Sequence, residues 1–401
     1  MLYIFFKYRL MSGGLIQLVA TGAQDVYLTS RPEVTFFRSG YKRYTHFANN
    51  VERQLIQGQL VAGGMSTIRI EKKGDLLSYT YMTAIDPTGA LVPNIDWTSN
   101  IIDKVELLIG GQVIDIQDSF FSTRIEPVTG AVNMNQRLLP LQSGIQPGFN
   151  ANSFYPFKFF FCKDWQSALP IVALQYHDIE FRITWSANLG TVCGSGVIPG
   201  NTTTKYSGLQ YVVWSNFVYL DQAEREYFIN KPQHDILMTQ VQRQFAQGKS
   251  VMELTFVHPV KYLAFQSNNY AAVYTGSPTA ALTLQLKTQV NGVDIGDFRP
   301  MSQWVDTTQY YHTSYGYVPT TFTANVAVIP FCLDTAKLQP TGTLNFSRID
   351  TYRLVTPINI TIQTVAKTQN DPLATTAPYI YAVNYNILRI RDGLGGLLYS
   401  N

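Results

Sequence analysis

Charge is scarce in this chain of 401 residues. Asp, Glu, Lys and Arg make up 14% of it, well below the quarter or so usual in soluble domains. The 30 basic and 27 acidic residues leave a formal net charge of only +3, too small a surplus for a protein whose main task is wrapping nucleic acid. Cysteine is scarcer still. Cys162, Cys193 and Cys332 are too few and too scattered for a disulfide framework, and their odd number suits a reducing compartment. No apolar run approaches the roughly eighteen residues of a membrane span. The opening Met1–Leu10 stretch is apolar with Lys7 and Arg9, but it is short for a signal peptide and no small-residue cleavage pattern follows; Met11 is a second possible start. There is no H-x-H, H-E-x-x-H or C-x-x-C for a metal, no G-x-S-x-G elbow and no G-x-x-x-x-G-K-[ST] phosphate loop. No catalytic, cofactor or metal residue is therefore assigned, and an enzyme is not expected. What the chain has is aromatic residues, 13% of it, with 25 Tyr and 23 Phe. A chain poor in Lys and Glu but rich in Tyr, Phe, Val, Ile and Thr forms strands better than helices. The expectation is a soluble protein, intracellular when made, and all-β.

Several segments alternate with period two, the mark of strands with one buried face. Ile179, Phe181 and Ile183 oppose Asp178, Glu180, Arg182 and Thr184; Leu282, Leu284 and Leu286 alternate with polar residues, as do Ile358, Ile360 and Ile362. Turn-rich stretches lie between, such as Asp86–Gly89, Gly144–Gly148 and Pro199–Asn201. One short charged segment, Gln222–Phe228, reads as helix and ends before Pro232. The most informative pattern is a repeat. Val51–Gly58 (VERQLIQG) recurs 190 positions later as Val241–Gly248 (VQRQFAQG), and Ile114–Asp118 (IDIQD) recurs 179 later as Val293–Asp297 (VDIGD). Phe161–Asp164 (FCKD) and Tyr211–Asn216 (YVVWSN) both recur 170 later, as Phe331–Asp334 (FCLD) and Tyr381–Asn386 (YAVNYN). The order is kept and the offset never increases, as expected if strands are retained while loops shorten. Two tandem β-domains follow: an N-terminal extension and arm over 1–50, a first domain over 51–221, a linker over 222–235 and a second domain over 236–401. Each is too large for an immunoglobulin-like sandwich and fits an eight-stranded, two-sheet jelly roll; an up-and-down barrel is the competitor, disfavoured by long loops near 86–100, 125–152 and 187–208.

Ahead of the first domain stand Met11–Ser30 (MSGGLIQLVATGAQDVYLTS), Arg31–Arg38 (RPEVTFFR) and Tyr41–Phe47 (YKRYTHF). With Gly74–Leu77 (GDLL), Val105–Gln112 (VELLIGGQ), Asn384–Ile390 (NYNILRI), Gly393–Gly396 (GLGG) and Tyr399–Asn401 (YSN), this closely resembles the major capsid proteins of nucleocytoplasmic large DNA viruses, such as iridoviruses and phycodnaviruses. The resemblance spans nearly the whole chain. It implies a double jelly roll, with three chains forming a pseudo-hexagonal trimer that tiles an icosahedral shell over an inner membrane and double-stranded DNA. Neighbouring capsomers, minor capsid proteins and the internal viral membrane are the implied partners. The implied location is the virion, after synthesis and assembly in the host cytoplasm. Other functions open to such a fold are a carbohydrate- or receptor-binding spike and a minor or penton capsid protein.

The arm mixes aromatic and basic residues, and Tyr27, Phe36, Phe37, Arg38, Tyr41, Lys42 and Arg43 are candidate inner-face contacts for minor capsid proteins or lipid head groups. It could instead pack beneath its own jelly roll with its aromatics buried. Its few cations make a small footprint for nucleic acid, so no direct specific nucleic-acid binding is expected. Asn201, in the sequon Asn201-Thr-Thr203 on the glycine-rich 187–208 loop, is the candidate glycosylation site; Asn345 and Asn359 lie in strand-like runs. His46, His177, His234, His258 and His312 are far apart and read as structural or surface residues. Cys162 and Cys332 read as small hydrophobes at matching positions of the repeat, with Cys193 the most exposed thiol. Asp115 and Asp118, like Asp294 and Asp297, read as a shared turn or strand-end feature rather than an acid pair.

Overall fold

The computed structural model describes residues 22–85, 89, 101–130, 154–186, 210–246, 250–266, 285–314, 326–357 and 379–400. Residues 22–45 belong to a unit of their own, with one helical turn at Val26–Thr29 and every described residue but Asp25 exposed. From His46 onward the chain is a second unit built almost entirely of antiparallel strands.

The described strands of this unit form four sheets. In the first, β1 (Phe47–Gln54), β10 (Gln210–Leu220), β4 (Leu76–Ile85) and β7 (Phe154–Pro156) lie side by side in that order, with β8 (Leu169–Pro170) also on β4. Facing it in sequence are β2 (Ile56–Gln57), β3 (Met65–Arg69), β9 (Ile179–Trp185), β5 (Ile102–Ile109) and β6 (Gln112–Asp118). The third sheet runs β11 (Gln233–Phe245), β19 (Tyr379–Arg391), β13 (Pro259–Gln266), β16 (Val326–Pro330), with β17 (Leu344–Asn345) on β13 and β20 (Leu394–Leu397) on β19. The fourth runs β12 (Val251–Leu254), β18 (Tyr352–Val355), β14 (Gln285–Val290), β15 (Val293–Pro300). No described strand of residues 47–220 pairs with one of residues 233–397. The helix Gln222–Asn230, capped by the Asp221 side chain at Gln222 N, stands between the two sets.

The two sets have the same plan. Replacing β1, β10, β4 and β7 by β11, β19, β13 and β16, and β3, β9, β5 and β6 by β12, β18, β14 and β15, converts one pair of sheets into the other. Each is an eight-stranded jelly roll, and the chain is a double jelly roll. The strands form where the period-two pattern places them: Ile179, Phe181, Ile183 and Trp185 are buried while Glu180, Arg182 and Thr184 between them are half-exposed. Both β5–β6 and β14–β15 are hairpins with two-residue turns. Gly110-Gly111 and Asn291-Gly292 all have positive φ, which matches the twist of the flanking strands and favours Gly and Asn. Each hairpin leads into a π-helical turn, Phe121–Ile125 and Gln303–Thr307.

The sequence repeats fall on these equivalent segments but not in register. The hairpin turns set Gln112 against Val293, two residues from the match of Ile114 with Val293. Tyr81 pairs with Pro156 as Tyr262 pairs with Pro330, so Phe157 rather than Phe161 corresponds to Phe331. Cys332 therefore corresponds to Lys158, and the expectation that Cys162 and Cys332 share a position is corrected. Cys332 is buried against the other jelly roll's Phe121 cluster, whereas Cys162 sits in the helical turn Phe160–Lys163 on the first core. A shift of two leaves a strand's faces unchanged, which is why such pairs look alike in sequence.

Each jelly roll has its own core. Phe157, Phe159, Phe161 and Phe181 form a ring cluster in the first, with 5.0 Å between the Phe157 and Phe181 centroids. Phe256, Phe346, Tyr352 and Leu354 centre the second. The cores are not separate from their neighbours: Met238, Leu388 and Ile390 of the second jelly roll complete the first core. A third cluster joins Phe121, Ile125 and Val128 to Tyr262, Val328, Tyr381 and Val383 across the seam.

Candidate functional site

That seam holds a dense polar arrangement among the described residues. Strand β6 leaves the Gly110-Gly111 turn, passes a bulge opposite Leu107–Leu108, and lies against the outer edge of β11. Its Asp115 Oδ1 accepts a hydrogen bond from the Val241 backbone N–H at 2.9 Å, and Oδ2 accepts one from Gln117 Nε2 at 3.0 Å. Burial pushes this carboxyl up to about 6, and the two hydrogen bonds pull it back only in part. Gln240 donates to the Ile114 carbonyl and accepts from Asn386 Nδ2. Asp118 gathers three donors: Arg243 Nη1 at 2.9 Å, the Tyr381 hydroxyl at 2.7 Å and the Phe121 N–H at 2.8 Å. Burial, with the Asp118 charge added, raises the Tyr381 phenol well above its ordinary value, so it stays a donor. The Arg243 guanidinium also lies over the Tyr379 ring.

Beyond Asp118 the turn Phe121–Ile125 and the helical turn Glu126–Thr129 continue the seam. Glu126 and Lys158 are both buried and paired at 2.6 Å, with Lys163 at 3.6 Å and the Ser122 carbonyl also accepting from Lys158. Burial raises the Glu126 carboxyl, but the two ammonium groups outweigh it and hold it below the usual range. From the other side the Tyr262 hydroxyl donates to Thr129 Oγ1, and Thr335 Oγ1 to the Thr129 carbonyl. Lys261 is buried beside them, donating to the Thr335 and Lys337 carbonyls; burial lowers it to about 8. A second clasp lies at the C terminus. Strand β20 brings the Gly393 carbonyl to the Tyr176 N–H at 3.1 Å and Gly395 to the His177 ring. Gly395 has no room for a side chain: a Cβ would stand 2.7 Å from Leu174 Cδ2. These groups spend their donors and acceptors on one another, and what they accomplish is to fix one sandwich against the other.

The arm candidates Tyr27, Phe36, Phe37, Arg38, Tyr41, Lys42 and Arg43 are all exposed in the single chain, Phe36 and Phe37 at 93% and 97%. Asn201 and Cys193 lie outside the described residues, as do Leu282, Leu284, Asn359 and the Ile358–Ile362 run. Asn345 caps the short helical turn Phe346–Arg348. His177, His234 and His312 are hydrogen-bonded to the carbonyls of Gly395, Phe228 and Cys332, and no cluster of three or more His, Cys, Asp or Glu fit for a metal occurs among the described residues. The reading of Asp115/Asp118 and Asp294/Asp297 as one shared feature is corrected. The first pair is buried in the seam, whereas Asp294 pairs with Lys287 on an exposed strand and Asp297 faces solvent. Glu126, Lys158, Arg243 and Tyr381 had not been singled out. Arg243 and Tyr381 did carry a signal, as the arginine of the repeated V-x-R-Q and the tyrosine that opens the repeated Y-x-V.

Comparison with known proteins agrees with this architecture. A family model described as the major capsid protein N-terminus matches residues 35–221, and one described as the large eukaryotic DNA virus major capsid protein matches residues 220–396. The major capsid protein of Paramecium bursaria Chlorella virus 1 is 32% identical, over 98% of this chain and all of its own length. That of Pyramimonas orientalis virus is 30% identical with the same coverage. Among solved structures, the PBCV-1 virus capsid chain superposes with a TM-score of 0.67 at 26% identity, covering 92% of this chain and 100% of its own. The Faustovirus major capsid protein shares the fold, with a TM-score of 0.57 at 12% identity. Two like jelly rolls locked by a buried seam, matched in turn by the two family models across residues 35–396 and along nearly the whole chain by a relative 32% identical, place this chain among the major capsid proteins of large eukaryotic DNA viruses.

Proposed function

We propose that the chain builds the icosahedral shell of a large double-stranded DNA virus as a homotrimeric, pseudo-hexagonal capsomer, assembled in the host cytoplasm and without enzymatic activity. The supporting observation is the identical strand plan of the two jelly rolls. Three such chains present six similar sides, so near-equivalent contacts can recur around a ring and between neighbouring rings. In this reading residues 51–221 and 236–401 are the two structural domains, joined through 222–235. The exposed aromatic and basic arm, with Tyr27, Phe36, Phe37, Arg38, Tyr41, Lys42 and Arg43, reaches minor capsid proteins or the internal membrane. Size-exclusion chromatography with light scattering tests the central point. A particle near three times 45.1 kDa that persists on dilution is expected; a stable monomer would overturn it.

A further inference from the structure

We propose that strand β15 of one copy docks against the open edge of β1 in a second copy, repeating between chains the contact that β6 makes with β11 within the chain. The inference rests on the trimer reading and assigns the surfaces that would make it.

Two independent differences between the jelly rolls carry it. The first concerns β6 and β15, which occupy the same place: second strand of a two-residue hairpin, at the end of its sheet, running into a π-helical turn. In β6, Asp115 and Asp118 are buried against the other jelly roll, with Ile114 and Gln117 buried beside them. In β15 every residue is exposed, including the apolar Val293 at 69% and Ile295 at 52%. Among the described residues β15 covers no part of the other jelly roll, and its apolar surface is suited to cover something else.

The second concerns β1 and β11, the edge strands beside β10 and β19. The outer edge of β11 is occupied, with Asp115 on the Val241 N–H, Gln240 on the Ile114 carbonyl and Asp118 on Arg243. The corresponding β1 is exposed from Phe47 to Asn50 and again at Arg53. A long strand with one unpaired edge is a template for association unless it is covered. Its natural cover, by the plan of this molecule, is a strand in the position of β6, and β15 is the one left open.

Charge is complementary as well. Within the seam the pair is Arg243 with Asp118. On β15 the place of Asp118 falls to Arg299, which lies over the Trp304 ring, and Asp294 is held by Lys287. Among the described residues Arg53 on β1 and Asp297 on β15 are exposed and have no ion-pair partner. Asp297 lies in the stretch of β15 where the register with β14 shifts, so it stands clear of the ladder. Because β15 and β1 are different surfaces, the contact runs head to tail and can close into a ring, as a self-complementary contact cannot beyond a dimer.

The test uses the full chain with Arg53→Glu, with Asp297→Arg, and with both. Association is followed by light scattering over a dilution series, and far-UV circular dichroism checks that each variant is folded. Wild type is expected to be trimeric, each single variant to dissociate at roughly tenfold higher concentration, and the charge-swapped double variant to recover most of the loss. A separate pair, Arg53→Cys with Asp297→Cys, is expected to form chain-to-chain disulfides on oxidation, giving a covalent ladder up to three; it decides the matter should a charge variant fail to fold. A monomeric wild type would overturn the trimer reading itself. A trimeric wild type with undisturbed charge variants and no cross-linked ladder would retain the trimer and overturn this contact, and so would an Asp297→Cys variant that cross-links to itself alone.

Discussion

Asp115 is a buried carboxylate that pays for its place in the seam with a proton affinity above normal. Its folded value, about 6, lies above the ordinary carboxylate range, so the folded state binds the proton more tightly than the unfolded chain does. The group's stabilising contribution is therefore full below about pH 4 and is lost as pH rises through about 6. Urea melts of wild type and Asp115→Asn should reveal it: the variant's stability relative to wild type should improve by on the order of 2 kcal/mol between pH 4 and pH 7. A difference independent of pH would mean that Asp115 does not titrate there. Lys158 poses the opposite case, a buried cation whose value lies in its partner. Lys158→Met strips Glu126 of its closer ammonium group and should cost about 3–5 kcal/mol, while adding Glu126→Leu should restore most of that, since removing both charges leaves none to strand. A double variant no better than the single would show the pair to be incidental.

Strands were legible in the sequence wherever one face meets a core. Ile179, Phe181 and Ile183 alternate because the sheet has an inside, and the duplicated plan was visible because equivalent strands keep equivalent residues. The seam was not legible. Arg243 and Asp118 are 125 positions apart, and no local period relates side chains that meet only after two sandwiches have docked; Lys158 and Glu126, 32 apart, meet within one sandwich but across separate elements. The Asn291-Gly292 turn did carry a local signal, an Asn-Gly pair between two strands, which fixes where β15 begins. Two elements invite tests at this scale. In β20, Gly395→Val would place a Cβ 2.7 Å from Leu174 Cδ2 and 3.1 Å from Ile109 Cγ2, so the clasp onto the first jelly roll should loosen. A loss of about 1–3 kcal/mol, with faster amide exchange confined to Leu394–Leu397 and its partners, is expected. For the arm, deleting residues 11–35 should leave folding and the trimer intact but prevent normal shells from forming, as judged by electron microscopy of assembled particles. Normal shells from the truncated chain would remove the arm from assembly.

At the scale of the whole molecule, the question is whether a chain with two repeated domains unfolds as two or as one. Tandem domains with separate cores and a polar interface would melt independently. Here the first core is finished by Met238, Leu388 and Ile390 from the second jelly roll, and a third cluster belongs to both. Unfolding either sandwich would expose apolar surface in the other and leave Asp118 without Arg243 and Tyr381. Calorimetry of the intact protein should accordingly show a single cooperative transition from His46 to the C terminus. Asp118→Ala is the variant that tests the coupling, because it leaves both sandwich interiors untouched. It leaves the buried Tyr381 hydroxyl and the Phe121 N–H without their acceptor and frees the half-exposed Arg243 guanidinium from the seam, at a cost of about 2–4 kcal/mol. That cost falls on the seam, so the variant should melt in two resolvable steps, with the sandwich less dependent on its neighbour surviving to the higher temperature. A wild type that already melts in two steps, or a variant whose single transition merely shifts, would mean that the halves are held as one by the apolar clusters and not by this polar network.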